Sequence, residues 1–518
     1  MGKKGKAKAA KVPEKGIYDC DPDPAGERVP LSALLRDPGK AWELLRTRRL
    51  LQILLGVVLA GFLLRFLNLG KYSLWLDEAS TLTFARESLL EIWGTSAAGE
   101  FNPPLFYWME HLMISFGESE AVLRFLPALL GSLTLVVMYL AAREVLDRPS
   151  SLIAVTLLAF SPFHVFYSQE ARAYAPMLFF FSLALLFFLR ATRRGGYGNW
   201  IAFGAFSALA FWTHFYAFVP VGVLILLAFV FRARVISKNL KEAAAPLLAT
   251  GVFFLVALPL VVTTIQLFSQ RTGGGPTFGV QGLELITDTL VWISSGINDI
   301  PGYSVFLTIV LLAFFIVGVA WFASRDRALA VLLVSGFVLP LLVSVVLSYR
   351  MPMDPRYLIC LQPFLFLGVA ASFPALCRRL RIRYLAVAAV LLILLASLPL
   401  FASYYTTSPK TDWRGFSGYL EGQTSTGDLV VVLPGYILQP LGYYYQNETD
   451  GTLLYGVYTT GELENIAASA GSHRIYYVVT LDIWSTDPTG TVVQWLETHT
   501  DMAQAVQYGP DLFLLPSG

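Results

Sequence analysis

The sequence predicts a polytopic α-helical membrane protein of about eleven transmembrane helices, with interfacial helices in its first external loop and a small C-terminal extracytoplasmic α/β domain. Three observations predict this class. Of the 518 residues, 55% are hydrophobic, and the mean hydropathy is +0.59. Charged residues make up only 14% of the chain, against about 25% in ordinary soluble domains. Finally, the chain contains many apolar runs of about 17 to 25 residues, which is the length that crosses a bilayer.

Eleven apolar runs are predicted as membrane spans. They lie at residues 50–67, 121–142, 151–167, 174–189, 199–215, 217–231, 245–268, 303–323, 329–348, 357–376 and 384–404. Beyond the last run the pattern changes, because short β-rich runs alternate with segments of helical spacing. The β-rich runs lie at 429–433, 474–480 and 512–515, and the helical segments at 413–421, 462–470 and 491–498. This mixture predicts a small α/β domain over residues 405–518.

The loops between the predicted spans indicate the topology. Basic residues gather in alternate loops, on the same side as the N-terminus: Arg143, Arg148, Arg190, Arg193, Arg194, Arg232, Arg234, Lys238, Lys241, Arg325, Arg327, Arg378, Arg379, Arg381 and Arg383. Cytoplasmic loops carry an excess of Lys and Arg. The pattern therefore predicts a cell-membrane protein with a cytoplasmic N-terminus, a transmembrane catalytic domain over residues 50–404 and an extracytoplasmic C-terminal domain.

The two ends of the chain differ in charge, although the net charge is only +2. Residues 1–50 contain twelve Lys and Arg against seven Asp and Glu, whereas residues 403–518 contain three against twelve. Residues 1–49 are predicted to be a disordered cytoplasmic arm that meets anionic membrane lipids and no nucleic acid. No cleaved signal peptide is expected, because no apolar core precedes residue 50.

Several classes of chemistry lack their usual sequence signals. The three cysteines, Cys20, Cys360 and Cys377, form no CxxC-type metal motif. The chain also has no GxxxxGK[ST] loop, no GxGxxG opening a helix after a strand, no HExxH and no GxSxG. Nucleotide hydrolysis, dinucleotide redox chemistry, zinc proteolysis and serine hydrolysis are therefore not predicted.

Two adjacent carboxylates, Asp77 and Glu78, follow directly after the first apolar run. Ionised groups at the edge of a membrane cost free energy and usually mark a functional site. The alternative interpretation is that the pair caps an external helix, which is compatible with catalysis.

The first external loop also contains Pro103 and Pro104, which can begin a helix but not continue one. Residues 105–116 are therefore predicted to form a short interfacial helix.

Glu170 and Arg172 place a carboxylate and a guanidinium two residues apart after the third predicted span. On the predicted topology they lie on the same external side as Asp77 and Glu78. They could pair with each other as a structural ion pair, or either could take part in catalysis. The residues alone leave these alternatives open.

Six short motifs, in order on the predicted external face, resemble those of the polytopic C-type glycosyltransferases that use polyprenyl-phosphate sugars. This family includes dolichyl-phosphate-mannose protein O-mannosyltransferases and lipid A aminoarabinose transferases. The motifs are LWLDEA at 74–79, NPPL at 102–105, SEAVLRFLP at 119–127, SQEAR at 168–172, THFY at 213–216 and PRYL at 355–358. The resemblance is strongest over residues 67–218 and weakens toward the C-terminus.

This resemblance implies a reaction and roles for particular residues. The first acid of the pair, Asp77, would be the general base that takes the proton of an acceptor hydroxyl, with Glu78 tuning it or binding acceptor and Glu170 as a further catalytic candidate. The leaving group would be a lipid phosphate, whose charge a guanidinium can bind with two hydrogen bonds. The expected phosphate ligands are Arg356 first, then Arg172, with Arg124 a further candidate.

Five other residues are expected to bind substrate: Asn102, His214, Tyr216 and Tyr357 in the matched motifs, and His111 in the first external loop. The aminoarabinose transferases have an acid and a Lys before the two prolines, whereas this chain has Phe101 and Asn102. No metal site is predicted and no cofactor is assigned. A divalent ion held by Glu100, Glu170 and a histidine is the alternative.

The sequence thus predicts transfer of one sugar from a polyprenyl-phosphate donor to a protein, glycan or lipid acceptor on the extracytoplasmic face. Two other functions remain as alternatives: a transporter or flippase of a lipid-linked glycan, whose buried charges would line a pathway, and a catalytically inactive glycan-binding relative. Carboxylates gathered on one face, and the lack of paired broken helices in matching halves, favour the enzyme.

Overall fold

A computed structural model describes residues 49–98, 102–271, 279–297, 300–380, 385–407, 410–445 and 452–517. The predicted basic arm, residues 1–49, lies outside these residues except for Arg49, where the first helix begins. The membrane part of the chain is helical throughout. Its helices are α1 Arg49–Phe66, α2 Leu76–Ala85, α3 Leu89–Ala98, α4 Pro104–Met113, α5 Glu120–Val145, α6 Arg148–Ala159, α7 Pro162–Ser168, α8 Tyr174–Arg194, α9 Tyr197–Thr213, α10 Phe218–Ile236, α11 Ala244–Arg271, α12 Gly282–Ser295, α13 Tyr303–Ala323, α14 Arg327–Ser348, α15 Gln362–Leu380 and α16 Leu385–Thr406.

Nine helices in the described part of the chain are long and apolar enough to cross a membrane, or ten if one bent pair counts as a single span. The polytopic helical class is therefore confirmed. The structure differs from the eleven predicted spans at two places. Helix α9, which has 17 residues, is not among these nine. The predicted span at 151–167 is broken into α6 and α7, which meet at 57°.

Pro162 explains the break between α6 and α7. It has no N–H to donate to the preceding turn, so α6 ends at Ala159. Pro162 then stands in the first turn of α7, and the hydroxyl of Ser161 caps that helix by accepting from the N–H of His164 at 3.3 Å. The bend carries the chain to Glu170 and Arg172, which follow α7 directly.

Short helices fill the first external loop, as predicted. Helix α2 contains Asp77 and Glu78 in its first turn, and α4 starts at Pro104. A 3₁₀ turn at Ile114–Phe116 extends α4 to the predicted end of that segment. The centre of the bundle is formed by α6, α8 and α15, most of whose residues are buried.

The C-terminal residues form the predicted small α/β unit. Its elements are α17 Trp413–Glu421, β1 Leu429–Leu433, α18 Leu438–Tyr444, β2 Leu453–Gly456, α19 Thr460–Ser469, β3 Ile475–Thr480, α20 Ile483–Thr486, α21 Thr491–His499, β4 Val506–Tyr508 and β5 Leu512–Pro516. The sheet has the order β2-β1-β3-β5-β4, with β2, β1 and β3 parallel and the last two pairs antiparallel. Every residue of β1 and β3 is buried because helices cover both faces of the sheet.

The C-terminal unit packs directly on the first external loop. The Tyr444 hydroxyl accepts from the N–H of Leu74 at 2.6 Å and donates to Glu120 at 2.7 Å. The Tyr443 hydroxyl donates to the carbonyl of Glu118 at 2.7 Å. These bonds fix α18 beside the segment that carries Asp77 and Glu78.

Candidate active site

Asp77 and Glu78 point to different surroundings, because successive residues of an α-helix project about 100° apart. The Glu78 side chain is completely buried, whereas the Asp77 side chain keeps 23% of its surface exposed. The sequence could not distinguish the two acids by position. The fold assigns one to the interior and the other to an accessible surface.

Glu78 is held by three partners from distant parts of the chain. Arg124 on α5 donates to both carboxylate oxygens, at 2.7 and 2.6 Å. Lys410 donates at 2.9 Å, and so does the N–H of Ala171. Burial opposes a charge on Glu78, but Arg124 and Lys410 outweigh it and lower the Glu78 pKa to about 2.

Every N–H donor of the Arg124 side chain makes a hydrogen bond. Besides its two bonds to Glu78, it donates to the carbonyls of Leu69, Tyr72 and Ser73 at 2.7 to 2.9 Å. A guanidinium has five N–H donors, and all five are engaged. This geometry favours a positioning role for Arg124 over the phosphate-binding role predicted from the sequence.

Asp77 faces two other guanidiniums. Its Oδ2 atom lies 3.0 Å from Nη1 of Arg356 and 3.8 Å from Nε of Arg172. Arg172 also donates to the backbone carbonyl of Asp77 at 3.2 Å. The two residues ranked first and second as phosphate ligands thus meet at the accessible carboxylate.

Arg356 is oriented by its own loop and by aromatic rings. The side chain of Asp354 caps the 3₁₀ helix Pro355–Leu361 and lies 3.3 Å from Nε of Arg356. The guanidinium carbon lies 5.6 Å from the ring centres of Trp75 and Tyr174, and 5.9 Å from that of Tyr357. Faces of aromatic rings attract a cation at this distance, so the rings hold the charge beside Asp77.

Glu170 is the third carboxylate, and it is buried. Neither of its oxygens accepts a hydrogen bond from the residues that the structure describes. Burial raises its pKa to about 7, helped by the charges of Glu78 and Asp77 and opposed by Lys410 and Arg356. A buried carboxyl with a pKa near neutrality can exchange a proton at physiological pH.

The raised pKa of Glu170 predicts a pH dependence of stability. Between the ordinary carboxyl pKa of 4.5 and about 7, the folded protein keeps a proton that the unfolded chain has released. The stabilising contribution is therefore complete below this window and is lost as pH rises through about 7. The melting temperature of the wild type should fall more between about pH 5 and about pH 8 than that of Glu170→Gln, which cannot titrate there. Parallel curves would contradict the assignment.

The five predicted substrate-binding residues divide into two groups. His214 and Tyr357 lie together near Arg356, with ring centres 5.1 Å apart, and Tyr174 lies 5.6 Å from His214. The other three residues make hydrogen bonds to other parts of the protein. Tyr216 donates to the carbonyl of Pro340 at 3.0 Å, Asn102 donates to the Tyr107 hydroxyl at 3.4 Å, and the His111 ring bonds the carbonyl of Ala85 at 2.8 Å. The structure thus brings two of the five beside the phosphate-ligand candidate.

Four residues near the site were not predicted from the sequence: Lys410, Trp75, Tyr174 and Glu110. The sequence could have indicated Lys410, since it is one of only three basic residues in the acidic segment 403–518.

Glu110 on α4 is fully buried, and neither of its oxygens is hydrogen-bonded to the described residues. Burial and the nearby Glu78 charge raise its pKa well above the usual range. Nothing in the local sequence marks Glu110 as buried.

The described residues contain no group of three or more His, Cys, Asp or Glu placed to hold a metal ion. Glu100, which the alternative metal site would require, lies outside the described residues.

The chain is similar to known glycosyltransferases in sequence and in fold. The family described as dolichyl-phosphate-mannose-protein mannosyltransferase matches residues 102–262. An uncharacterised protein of Aquifex aeolicus is 30% identical over 166 residues, which are 29% of this chain and 32% of that protein. The chain therefore matches about a third of the length of this relative.

Solved structures match over most of the chain. ArnT from Cupriavidus metallidurans bound to undecaprenyl phosphate is 14% identical, with a TM-score of 0.55 over 92% of this chain and 98% of that one. The oligosaccharyltransferase of Archaeoglobus fulgidus is also 14% identical, with a TM-score of 0.54 over 88% of this chain and 73% of that one. Both have the polytopic C-type glycosyltransferase fold, so the predicted resemblance is confirmed at the level of the fold.

Proposed function

We propose that this chain, which has the fold of the C-type glycosyltransferases, transfers a single sugar from a polyprenyl-phosphate donor to an acceptor hydroxyl, with Asp77 as general base. One observation carries the proposal: of the three acids Asp77, Glu78 and Glu170, only Asp77 is accessible, and two guanidiniums flank it. That combination provides a proton acceptor and a phosphate-binding group at one place. The similar proteins, a family of dolichyl-phosphate-mannose-protein mannosyltransferases and ArnT bound to undecaprenyl phosphate, support the donor class.

The reaction is a direct displacement at the anomeric carbon. The acceptor oxygen forms a bond to that carbon while its proton passes to Asp77. The bond between the carbon and the phosphate oxygen breaks, and polyprenyl phosphate leaves with the electron pair. Attack opposite the leaving group inverts the anomeric configuration. A positioned base contributes about 10²- to 10⁴-fold to the rate of such a step.

Arg356 and Arg172 are assigned to the phosphate of the donor. Arg356 donates to the Asp77 carboxylate and Arg172 to the Asp77 backbone carbonyl, and a donor phosphate would compete with these two acceptors for the N–H groups. Transfer of Arg356 from Asp77 to the phosphate would release the carboxylate from this ion pair and leave it free to accept the proton of the acceptor hydroxyl. Donor binding and activation of the base are coupled in this proposal, since one guanidinium serves both.

Glu78 and Arg124 are assigned to positioning. Their mutual bonds and those from Arg124 to three carbonyls tie the start of α2 to α5. Glu170 is the alternative base, because it is buried nearby and titrates near neutrality.

The decisive experiment is an assay of donor turnover. The purified protein would be incubated with a panel of radiolabelled polyprenyl-phosphate sugars, and released polyprenyl phosphate would be measured. We expect release from at least one donor by the wild type and not by Asp77→Asn. Release from none of the donors would contradict the enzyme assignment and favour transport or glycan binding without catalysis.

Replacing Arg356 by Lys tests the phosphate assignment. Arg356→Lys keeps the positive charge but removes the planar, two-pronged donor, so the affinity for the lipid-linked donor should fall about 10-fold. Binding of a labelled polyprenyl phosphate to detergent-solubilised protein would measure this change. Arg193→Lys, at an exposed ion pair with Asp326, is the matched control and should bind normally. Unchanged binding in both Arg356→Ala and Arg172→Ala would reject these residues as phosphate ligands.

We also propose that the N-terminus is cytoplasmic and that the site and the C-terminal unit face the extracytoplasmic side. The test uses single cysteines in a protein whose three native cysteines are replaced. Ser425 and Thr426 are exposed on the C-terminal unit, and Ser324 is exposed between α13 and α14, in a loop predicted to be cytoplasmic. Cysteines at 425 and 426 should react with an impermeant thiol reagent in intact cells, and one at 324 only after permeabilisation. The reverse pattern would place the site in the cytoplasm.

A further inference from the structure

A second concave surface lies beside the candidate active site, between the first external loop and the C-terminal unit. It is a cleft of about 840 Å³. One wall is formed by Ala79 and Thr83 on α2 and by Arg86 just after that helix. The other wall comes from the residues after β1 and β2 and from α18. None of the functions assigned above uses this cleft.

The C-terminal wall is the carboxyl edge of the parallel strands. Tyr436 follows β1 and Tyr458 follows β2, and the two strands are parallel neighbours. Open parallel α/β sheets bind ligands at this edge, in the crevice beyond the strand ends. Gly435 and Gly456 let the two strand ends approach, since a Cβ atom on Gly435 would lie 2.7 Å from the Tyr458 ring. The rings of Tyr436 and Tyr458 are consequently 6.4 Å apart.

The cleft adjoins Asp77 around the surface of α2. Residues three apart on a helix are neighbours on its surface, so Ser80 stands between Asp77 and Thr83. The Ser80 hydroxyl donates to Gln439, which lines the cleft, at 2.5 Å.

The lining of the cleft is aromatic and polar. Three tyrosine rings face it, from Tyr436, Tyr443 and Tyr458, and Tyr458 is 46% exposed. Arg86 and Glu118 form a two-bond ion pair at its side, at 3.0 and 2.5 Å. A sugar ring has an apolar C–H face, which fits a tyrosine ring, and hydroxyls at its edge, which fit charged and amide groups. A lipid chain would instead need a wall of aliphatic side chains.

We propose that this cleft is an acceptor subsite that binds carbohydrate, so that the acceptor of the enzyme is a glycan. The inference rests on the proposed glycosyl transfer, but the binding of sugar in the cleft can be measured without any turnover. Tyr436 and Tyr458 would stack on the sugar rings, and Gln439 would lie on the side toward Asp77. The next sugar of the same glycan would then present its hydroxyl to the base.

The test measures sugar binding to the full-length protein in detergent by saturation-transfer NMR. The probes are maltotriose, mannotriose and chitotriose, with a Ser/Thr-rich peptide as the competing class. We expect at least one trisaccharide to bind the wild type, and Tyr436→Ala and Tyr458→Ala each to weaken that binding about 10-fold. Tyr197→Ala, an exposed tyrosine at the start of α9, is the matched control and should bind like the wild type.

The following outcomes would contradict the proposal. Equal binding by all variants would place the sugar elsewhere, and absence of trisaccharide binding would reject the carbohydrate class. Peptide binding that the two substitutions abolish would reassign the cleft to a protein acceptor. Melting temperatures of the variants identify any loss of binding that comes from unfolding. The donor-turnover assay reports separately on the proposed function, so the two failures are distinguishable.

Discussion

Asp77→Asn should bind the lipid-linked donor nearly as well as the wild type and should lose about 10²- to 10⁴-fold in the rate of sugar transfer. Asparagine keeps the shape of the side chain and an oxygen that can accept from Arg356, but it cannot take a proton. Because the two arginines remain, donor affinity should change little. Single-turnover transfer with saturating donor would isolate the chemical step, and a separate binding measurement would confirm that the donor site is intact.

Glu170→Gln is the control for this result, because burial raises the pKa of Glu170 to about 7 and makes this carboxylate the alternative base. Its effect on transfer should be milder than that of Asp77→Asn. If Glu170→Gln abolished transfer while Asp77→Asn kept a near-normal rate, the base would be Glu170. Such a result would reject the role that the family resemblance implied for Asp77.

Glu78→Gln should lower the free energy of unfolding by about 3 to 5 kcal/mol, the usual cost of removing one partner of a buried ion pair. The amide cannot compensate the charges of Arg124 and Lys410, which are 2% and 7% exposed. The two cations would then share a buried site without the carboxylate that both of them bind. Thermal unfolding in detergent, followed by far-ultraviolet circular dichroism, would measure the loss.

The matched control for Glu78→Gln is Glu242→Gln. Glu242 pairs with Arg232, but its side chain is 39% exposed. An exposed pair of this kind contributes at most about 1 kcal/mol, so the melting temperature should hardly move. A loss of stability in Glu78→Gln no greater than in Glu242→Gln would contradict the positioning role of Glu78.

These two neighbouring acids illustrate what local sequence can and cannot specify. The position of Asp77 and Glu78 after an apolar run marked them as candidates, and the surrounding motifs indicated a C-type glycosyltransferase. The two residues are chemically almost equivalent, however. The local sequence at 74–79 does not indicate which of the two side chains is buried. Their different surroundings arise from what packs against each face of α2.

The partners of the two acids come from far along the chain. Arg124 is 46 residues from Glu78, Lys410 is 332 residues from Glu78, and Arg356 is 279 residues from Asp77. The sequence favoured Arg356, Arg172 and Arg124 together as phosphate ligands. Only the folded chain shows that Arg124 has no donor left for a phosphate, because its five N–H groups already bind Glu78 and three carbonyls.

The sequence by itself determined the helices of the bundle and most elements of the C-terminal unit. The long apolar run at 303–323 and the short β-branched run at 429–433 are both visible in the local pattern of neighbouring residues. Tertiary structure alone decided that Lys410 enters the acidic cluster, that Glu110 and Glu170 are buried, and that Tyr436 and Tyr458 face α2. These features depend on contacts between segments hundreds of residues apart, and the periodicity of either segment contains no information about the other.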